Sequence, residues 1–236
     1  ILPVHNLIVL PRERTRKLIP GRLSEVILSD VGYRFSEVAG VSNISFRISV
    51  EAPLVIRGAS GSGKTTLANL IGGLYAPMQG SVIYTTAEGG QFDSRVYRAR
   101  VGYVTQDIYL FHGSVRENLM RAGEPMSDVE LWDLLEKAGA AEFVRRIGGL
   151  GAELTEGGRS LSGGEQRRLG IARVLASRPD ILILDEITSG LDDSRKAEIG
   201  ALIEQLAQSL VAVAITHDLG EFRGWREWRT SAPSHG

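Results

Sequence analysis

A chain of 236 residues, 43% of them hydrophobic, is long enough for one large core or two small ones. Its formal net charge of −1 and its lack of cysteine argue against a nucleic-acid-backbone binder, a disulfide framework and a thiolate metal site. Apolar runs such as residues 210–215 are far shorter than the about 20 residues that cross a bilayer, so no direct membrane insertion by this segment is expected.

Residues 1–22 carry the charged run PRERTRK, flanked by Pro11 and Pro20, and read as a linker or arm, or equally as a solvated tail. The start at Ile1 rather than Met fits a piece of a longer protein, and residues 23–236 read as the domain itself. From Val26 the pattern changes. EVILSDVGYRF and VSNISFRISV alternate apolar and polar residues with period two, as half-buried strands do.

Residues 55–71, VIRGASGSGKTTLANLI, read as a short strand, a glycine-rich loop and an apolar-periodic helix. The segment from Gly58 to Thr65 matches G-x-x-x-x-G-K-[ST]. Glycines let successive N–H groups turn toward one centre, and the helix start adds unpaired donors and a favourable dipole. Ser60, Gly61, Ser62, Gly63 and Thr66 complete this cradle. Lys64 supplies a full positive charge for outer phosphates, and the Thr65 hydroxyl can ligate Mg²⁺.

Further along, VGYVTQD reads as a short strand ending at Gln106, whose amide could reach a metal or a water. A mostly helical stretch follows, in which Leu131, Leu134, Leu135 and Ala138 share one face. In SLSGGEQRRLGIARVL, Ser162 caps a helix stopped by Pro179, and Gly163 and Gly164 leave its first N–H groups uncovered, a second anion site. DILILDE suits a parallel strand buried on both faces, with Asp185 at its carboxyl end and Glu186 next. A lone Asp-Glu pair after a strand is more often a helix cap; beside a phosphate loop it becomes a candidate metal contact and a candidate water-polarising group. KAEIGALIEQLAQ reads as a helix, and LVAVAITH as a strand that brings His217 to the same edge. Strand and helix alternate through this last third, so the core is α/β with a parallel sheet. One chain thus offers two helix-terminus phosphate sites and one phosphate loop, as if each copy lent its second site to a partner's nucleotide.

These motifs, in this order over residues 24–220, resemble the nucleotide-binding domain of ATP-binding cassette (ABC) transporters. GASGSGKT looks like its Walker A loop, Gln106 its Q-loop, LSGGE its signature, ILILDE its Walker B, Ser189 to Asp192 its D-loop and His217 its switch histidine. Glu165 departs from the commoner glutamine of the signature. The resemblance implies a P-loop NTPase with a RecA-like parallel core, an antiparallel β subdomain, and a helical subdomain over about residues 107–175 that carries the signature. It implies ATP and Mg²⁺ as ligands. Thr65, Gln106 and Asp185 would face the metal, Glu186, His217 and Gln106 would serve catalysis, and Ser162, Gly163, Gly164, Glu165 and Asp192 would touch nucleotide. Phe35 aligns with the adenine-stacking aromatic, and Tyr33 is either a second stacking ring or a core residue. Residues 107–119, DIYLFHGSVRENL, resemble the exporter pattern LFxGTIxENI, where a membrane domain docks. The implied partners are a second cassette, identical or paralogous, and a transmembrane domain, at the cytoplasmic face of a membrane, with no nucleic acid. An importer ATPase subunit and a non-transport cassette ATPase are the competing readings. The lack of sustained heptads between Lys64 and Ser162 disfavours chromosome-type members.

Overall fold

The run Ile181–Asp185 has no polar residue before its final acid, and it is buried on both faces. Ile181 and Ile183 enter one apolar cluster, Leu182 and Leu184 the other. A strand of this kind needs cover on both sides, as in a parallel sheet between two layers. The computed structural model, which describes residues 17–34, 40–121, 125–218 and 222–229, shows that arrangement. Five parallel strands run in the order Arg226–Arg229, Leu54–Arg57, Val211–Ile215, Ile181–Asp185, Val101–Thr105. The segment WREWR is the edge strand, and its largely exposed residues suit an edge.

On one side of this sheet lies an antiparallel sheet, ordered Gly40–Ser49, Leu23–Arg34, Gln79–Thr86, Gln91–Asp93. The helix Lys64–Ile71 shares its core through Leu67, Leu70 and Ile71. Gln79–Thr86 and Gln91–Asp93 were not singled out from the sequence. They form a hairpin closed by Thr86 N–H donating to Gly90 O at 2.9 Å, with Gly89 at φ 83°. The last residues of the expected arm belong to the fold: Lys17–Leu18 pair in parallel with Tyr97–Arg98, and Ile19 is buried.

The other side carries the helices Val115–Met120, Asp128–Lys137, Ala141–Arg146, Gly163–Ala176 and Asp193–Ala207 around one apolar cluster. Leu131, Leu134, Leu135 and Ala138 all point into it, as their spacing requires. The stretch around them is two helices rather than one. Ser127 and Glu130 form a reciprocal capping box that starts the first, and Gly139 at φ 61° breaks the chain before the second. The helix Gly163–Ala176 ends just before Pro179, with Arg178 at φ 47°.

Leu131 is fully buried in the helical cluster. Leu131→Ala should lower stability by roughly 2–5 kcal/mol in urea unfolding, the range for an unfilled core cavity. A loss below about 1 kcal/mol would show that the helical layer collapses around the gap.

Candidate functional site

Four neighbouring strands run in parallel, so the loops after Arg57, Thr105, Asp185 and Ile215 leave from one edge of the sheet. Open α/β sheets bind ligands at this edge.

After Leu54–Arg57 the loop turns through Gly61 at φ 76° and Gly63 at φ 90° into the helix at Lys64. Gly63 is required twice over. Its φ is left-handed, and a Cβ there would lie 2.6 Å from Val41 Cγ1 of the antiparallel sheet. Ser60, Gly61 and Thr65 are exposed, while Ser62, Lys64 and Thr66 are buried. Lys64 Nζ donates to the carbonyls of Gly58 at 2.9 Å and Ala59 at 2.8 Å, and Ser62 Oγ donates to Ala59 O at 2.7 Å. The loop therefore holds its own shape, with a buried cation folded over it.

Asp185 ends its strand, and Glu186 follows with φ 51°. Two consecutive strand residues ordinarily face opposite sides of a sheet. The left-handed turn at Glu186 breaks that alternation, and both carboxylates line one cleft of about 570 Å³ with Thr105, Gln106 and Tyr109. Glu186 N–H donates to Ile215 O at 2.9 Å and its carbonyl accepts from Ser189 N–H at 3.0 Å, which hold the turn against a backbone cost of about 1–3 kcal/mol. His217 Nε2 lies 3.1 Å from the buried Glu186 Oε1, and the His217 backbone N–H also bonds toward this carboxylate.

Burial pushes the Asp185 carboxyl up, against a hydrogen bond from Tyr103 and the charges of Lys64 and His217. Burial also raises Glu186; Asp185 adds to this, and His217 and Lys64 offset part of it. The same charges thus act on both carboxylates, which places Lys64, Asp185, Glu186 and His217 in one electrostatic neighbourhood. Tyr103 was missed from the sequence. Its hydroxyl donates to Asp185 Oδ2 at 3.1 Å, and burial, with Asp185 beside it, raises the phenol so that it keeps its proton. A tyrosine inside an apolar run carries no local sign of a partner 82 residues away.

The expected second anion site begins at Ser162, which caps Gly163–Ala176 in a capping box with Glu165. Glu165 Oε2 accepts from Ser162 N–H at 2.8 Å, and Ser162 Oγ accepts from Glu165 N–H at 3.3 Å. Glutamate and glutamine both fit this position, so the departure from the commoner signature keeps the helix start intact. Burial works against the Glu165 charge, but the bonds from Ser162 and the ion pair with Arg146 hold its carboxyl below the ordinary range. Gly163 is exposed and Gly164 half-buried at the head of the helix, where first-turn N–H groups have no intrahelical partner. Asp192 caps Asp193–Ala207 by accepting from Arg195 N–H at 3.0 Å. Neither Ser162 to Glu165 nor Asp192 lines the cleft at Asp185 and Glu186. Phe35 lies outside the described residues. Tyr33 stacks on Tyr75, with ring centres 5.0 Å apart and planes 9° from parallel.

The fold and its phosphate-type loop define a P-loop NTPase fold, with a parallel core, an antiparallel sheet and a helical layer. The family model described as ABC transporter matches residues 41–189, and the chain belongs to that family. It is similar to the heterocyst differentiation ATP-binding protein HepA of Nostoc sp., at 34% identity over 84% of this chain and 33% of that one. It is 32% identical, over 87% of its length, to the β-(1→2)glucan export ATP-binding/permease protein NdvA of Rhizobium meliloti, of which 35% is covered. A solved bacterial Atm1-family ABC exporter with ATP bound matches with a TM-score of 0.77 and 26% identity, over 94% of this chain and 39% of that one. The chain spans about a third of the length of these curated relatives.

The raised Glu186 carboxyl makes a stability prediction. A carboxyl whose folded-state pKa is raised costs nothing when both states are protonated; the penalty grows as pH rises past the unfolded-state value and is complete above the folded-state one. Glu186→Gln should therefore raise the urea midpoint at pH 8, and the gap should close as pH falls toward about 4. An equal gap at both pH values would rule out the buried charge as its source.

Proposed function

We propose that this chain binds ATP with Mg²⁺ on the Gly58–Thr65 loop and hydrolyses it within a head-to-tail pair of cassettes, as the motor part of a larger exporter. One observation carries the reading: the loop that buries Lys64 opens on the same sheet edge as the paired carboxylates Asp185 and Glu186 and as His217. In this reading, loop N–H groups cradle the phosphates, and Lys64 leaves the Gly58 and Ala59 carbonyls for the outer ones.

The donor set fits Mg²⁺. This cation takes oxygen ligands and binds through one or two carboxylates plus phosphate oxygens, rather than in an all-protein cage. Thr65, Gln106 and Asp185 offer a hydroxyl, an amide and a single carboxylate, and among the described residues no three acidic, histidine or cysteine side chains are placed to hold a metal ion by themselves. When bound, the cation would neutralise charge on the phosphates. The other tasks fall to side chains. Glu186, whose carboxyl burial raises, would accept a proton from an attacking water. His217 steadies Glu186 or reaches the terminal phosphate, and Gln106 contacts the metal or the water from across the cleft. Phe35 would stack on adenine, while the Tyr33–Tyr75 stack favours a core role for Tyr33.

The second half of the competent site would come from a partner cassette, identical or paralogous, through Ser162, Gly163, Gly164 and Glu165, with Asp192 near the junction. An exposed helix start headed by two glycines away from the chain's own cleft supports this. Residues 107–119 would face a membrane part at the cytoplasmic side, corresponding to the remainder of the longer relatives. The exporter names of NdvA and the Atm1-family structure favour an exporter over an importer subunit.

Lys64→Ala should abolish most ATP affinity in a fluorescent-nucleotide titration, since it deletes the full positive charge on the outer phosphates. Unchanged affinity would overturn the cradle. Glu186→Gln should bind ATP normally, hydrolyse it about 10²–10⁴-fold more slowly, and accumulate as a dimer on size exclusion. Adding Ser162→Arg should return it to monomer. Hydrolysis by Glu186→Gln at the parent rate would sink the assignment of that carboxylate.

A further inference from the structure

Asp185 is the last residue of its strand, and the neighbouring strand pairs Thr105 with it and Tyr103 with Ile183. Residues two apart on a strand share a face, so Tyr103 and Asp185 stand diagonally on the same side of the sheet. A tyrosine is long enough to cover such a diagonal. Its ring packs against the apolar cluster that holds Ile181 and Ile183, and its hydroxyl meets Asp185 Oδ2 at 3.1 Å.

We propose that Tyr103 is a positioning residue for Asp185, its hydroxyl fixing the rotation of the carboxylate that faces the metal-nucleotide. The inference rests on the reading of Asp185 as that carboxylate. The torsion that turns a carboxylate about its Cβ–Cγ bond has a broad minimum, so Asp185 at the rim of a cleft would otherwise sample many orientations. A donor anchored by a packed ring holds one oxygen and leaves the second for the ligand. The same bond satisfies a phenol hydroxyl that is largely withdrawn from water. Burial by itself does not explain the choice of partner, because a phenylalanine would fill the same apolar space.

The test is a Mg²⁺ titration of ATP binding, read by equilibrium fluorescence, on the parent, Tyr103→Phe, Asp185→Asn and the double variant. Tyr103→Phe keeps the ring and should keep both the thermal midpoint and the affinity measured in EDTA. The Mg²⁺ concentration for half-maximal enhancement should rise roughly three- to tenfold, the scale of one lost hydrogen bond. In the Asp185→Asn background, the same change should shift nothing. A shift of equal size in both backgrounds would show the hydroxyl acting through something other than Asp185, and that result would overturn the proposal. So would a Tyr103→Phe curve equal to the parent's while Asp185→Asn loses its Mg²⁺ dependence. If Asp185→Asn keeps the dependence, the metal reading itself falls and the proposal falls with it.

Discussion

The structure depends on a common direction of travel. Leu54–Arg57, Val211–Ile215, Ile181–Asp185 and Val101–Thr105 lie side by side and point the same way. Residues far apart in the chain, Lys64, Gln106, Asp185 and His217, therefore leave the sheet within one neighbourhood. Parallel pairing requires long crossover connections, and these must cover the sheet on both faces. The helical layer and the antiparallel sheet are that cover. Each central strand sends alternate residues into each of two apolar clusters, so cores and site share one set of hydrogen bonds.

Two kinds of polar group sit at this edge. Lys64 is satisfied by the loop's own carbonyls and can exchange them for another acceptor. Glu186 is held in a left-handed backbone, beside Asp185 and His217. The first arrangement is stable without a ligand. The second stores unfavourable burial and backbone strain where chemistry is proposed, as functional sites commonly do.

Much of this was legible in the sequence where the signal is local. The run ILILD announces a strand buried on both faces, and the glycine run from Gly58 to Gly63 announces the tight turn from a strand into the helix at Lys64. What stayed hidden depends on contacts between distant segments. The strand Gln79–Thr86 lacks a strong alternation, and its hairpin partner Gln91–Asp93 is only three residues long. Glu165 looked like a departure from a motif, and its reciprocal bond with Ser162 gives it a local reason. Gly139 divides a stretch whose apolar face reads as continuous, because side-chain spacing says little about a single left-handed residue.

The backbone at Glu186 also bears on how a copy of this domain could drift. A residue at φ 51° tolerates glycine, asparagine and aspartate far better than valine, isoleucine or threonine. Loss of the carboxylate is therefore cheapest through small or amide side chains, which leave the turn and its bond to Ile215 in place. A copy changed along that route would retain its fold, its loop and its helix caps, whereas a β-branched replacement would strain the strand end.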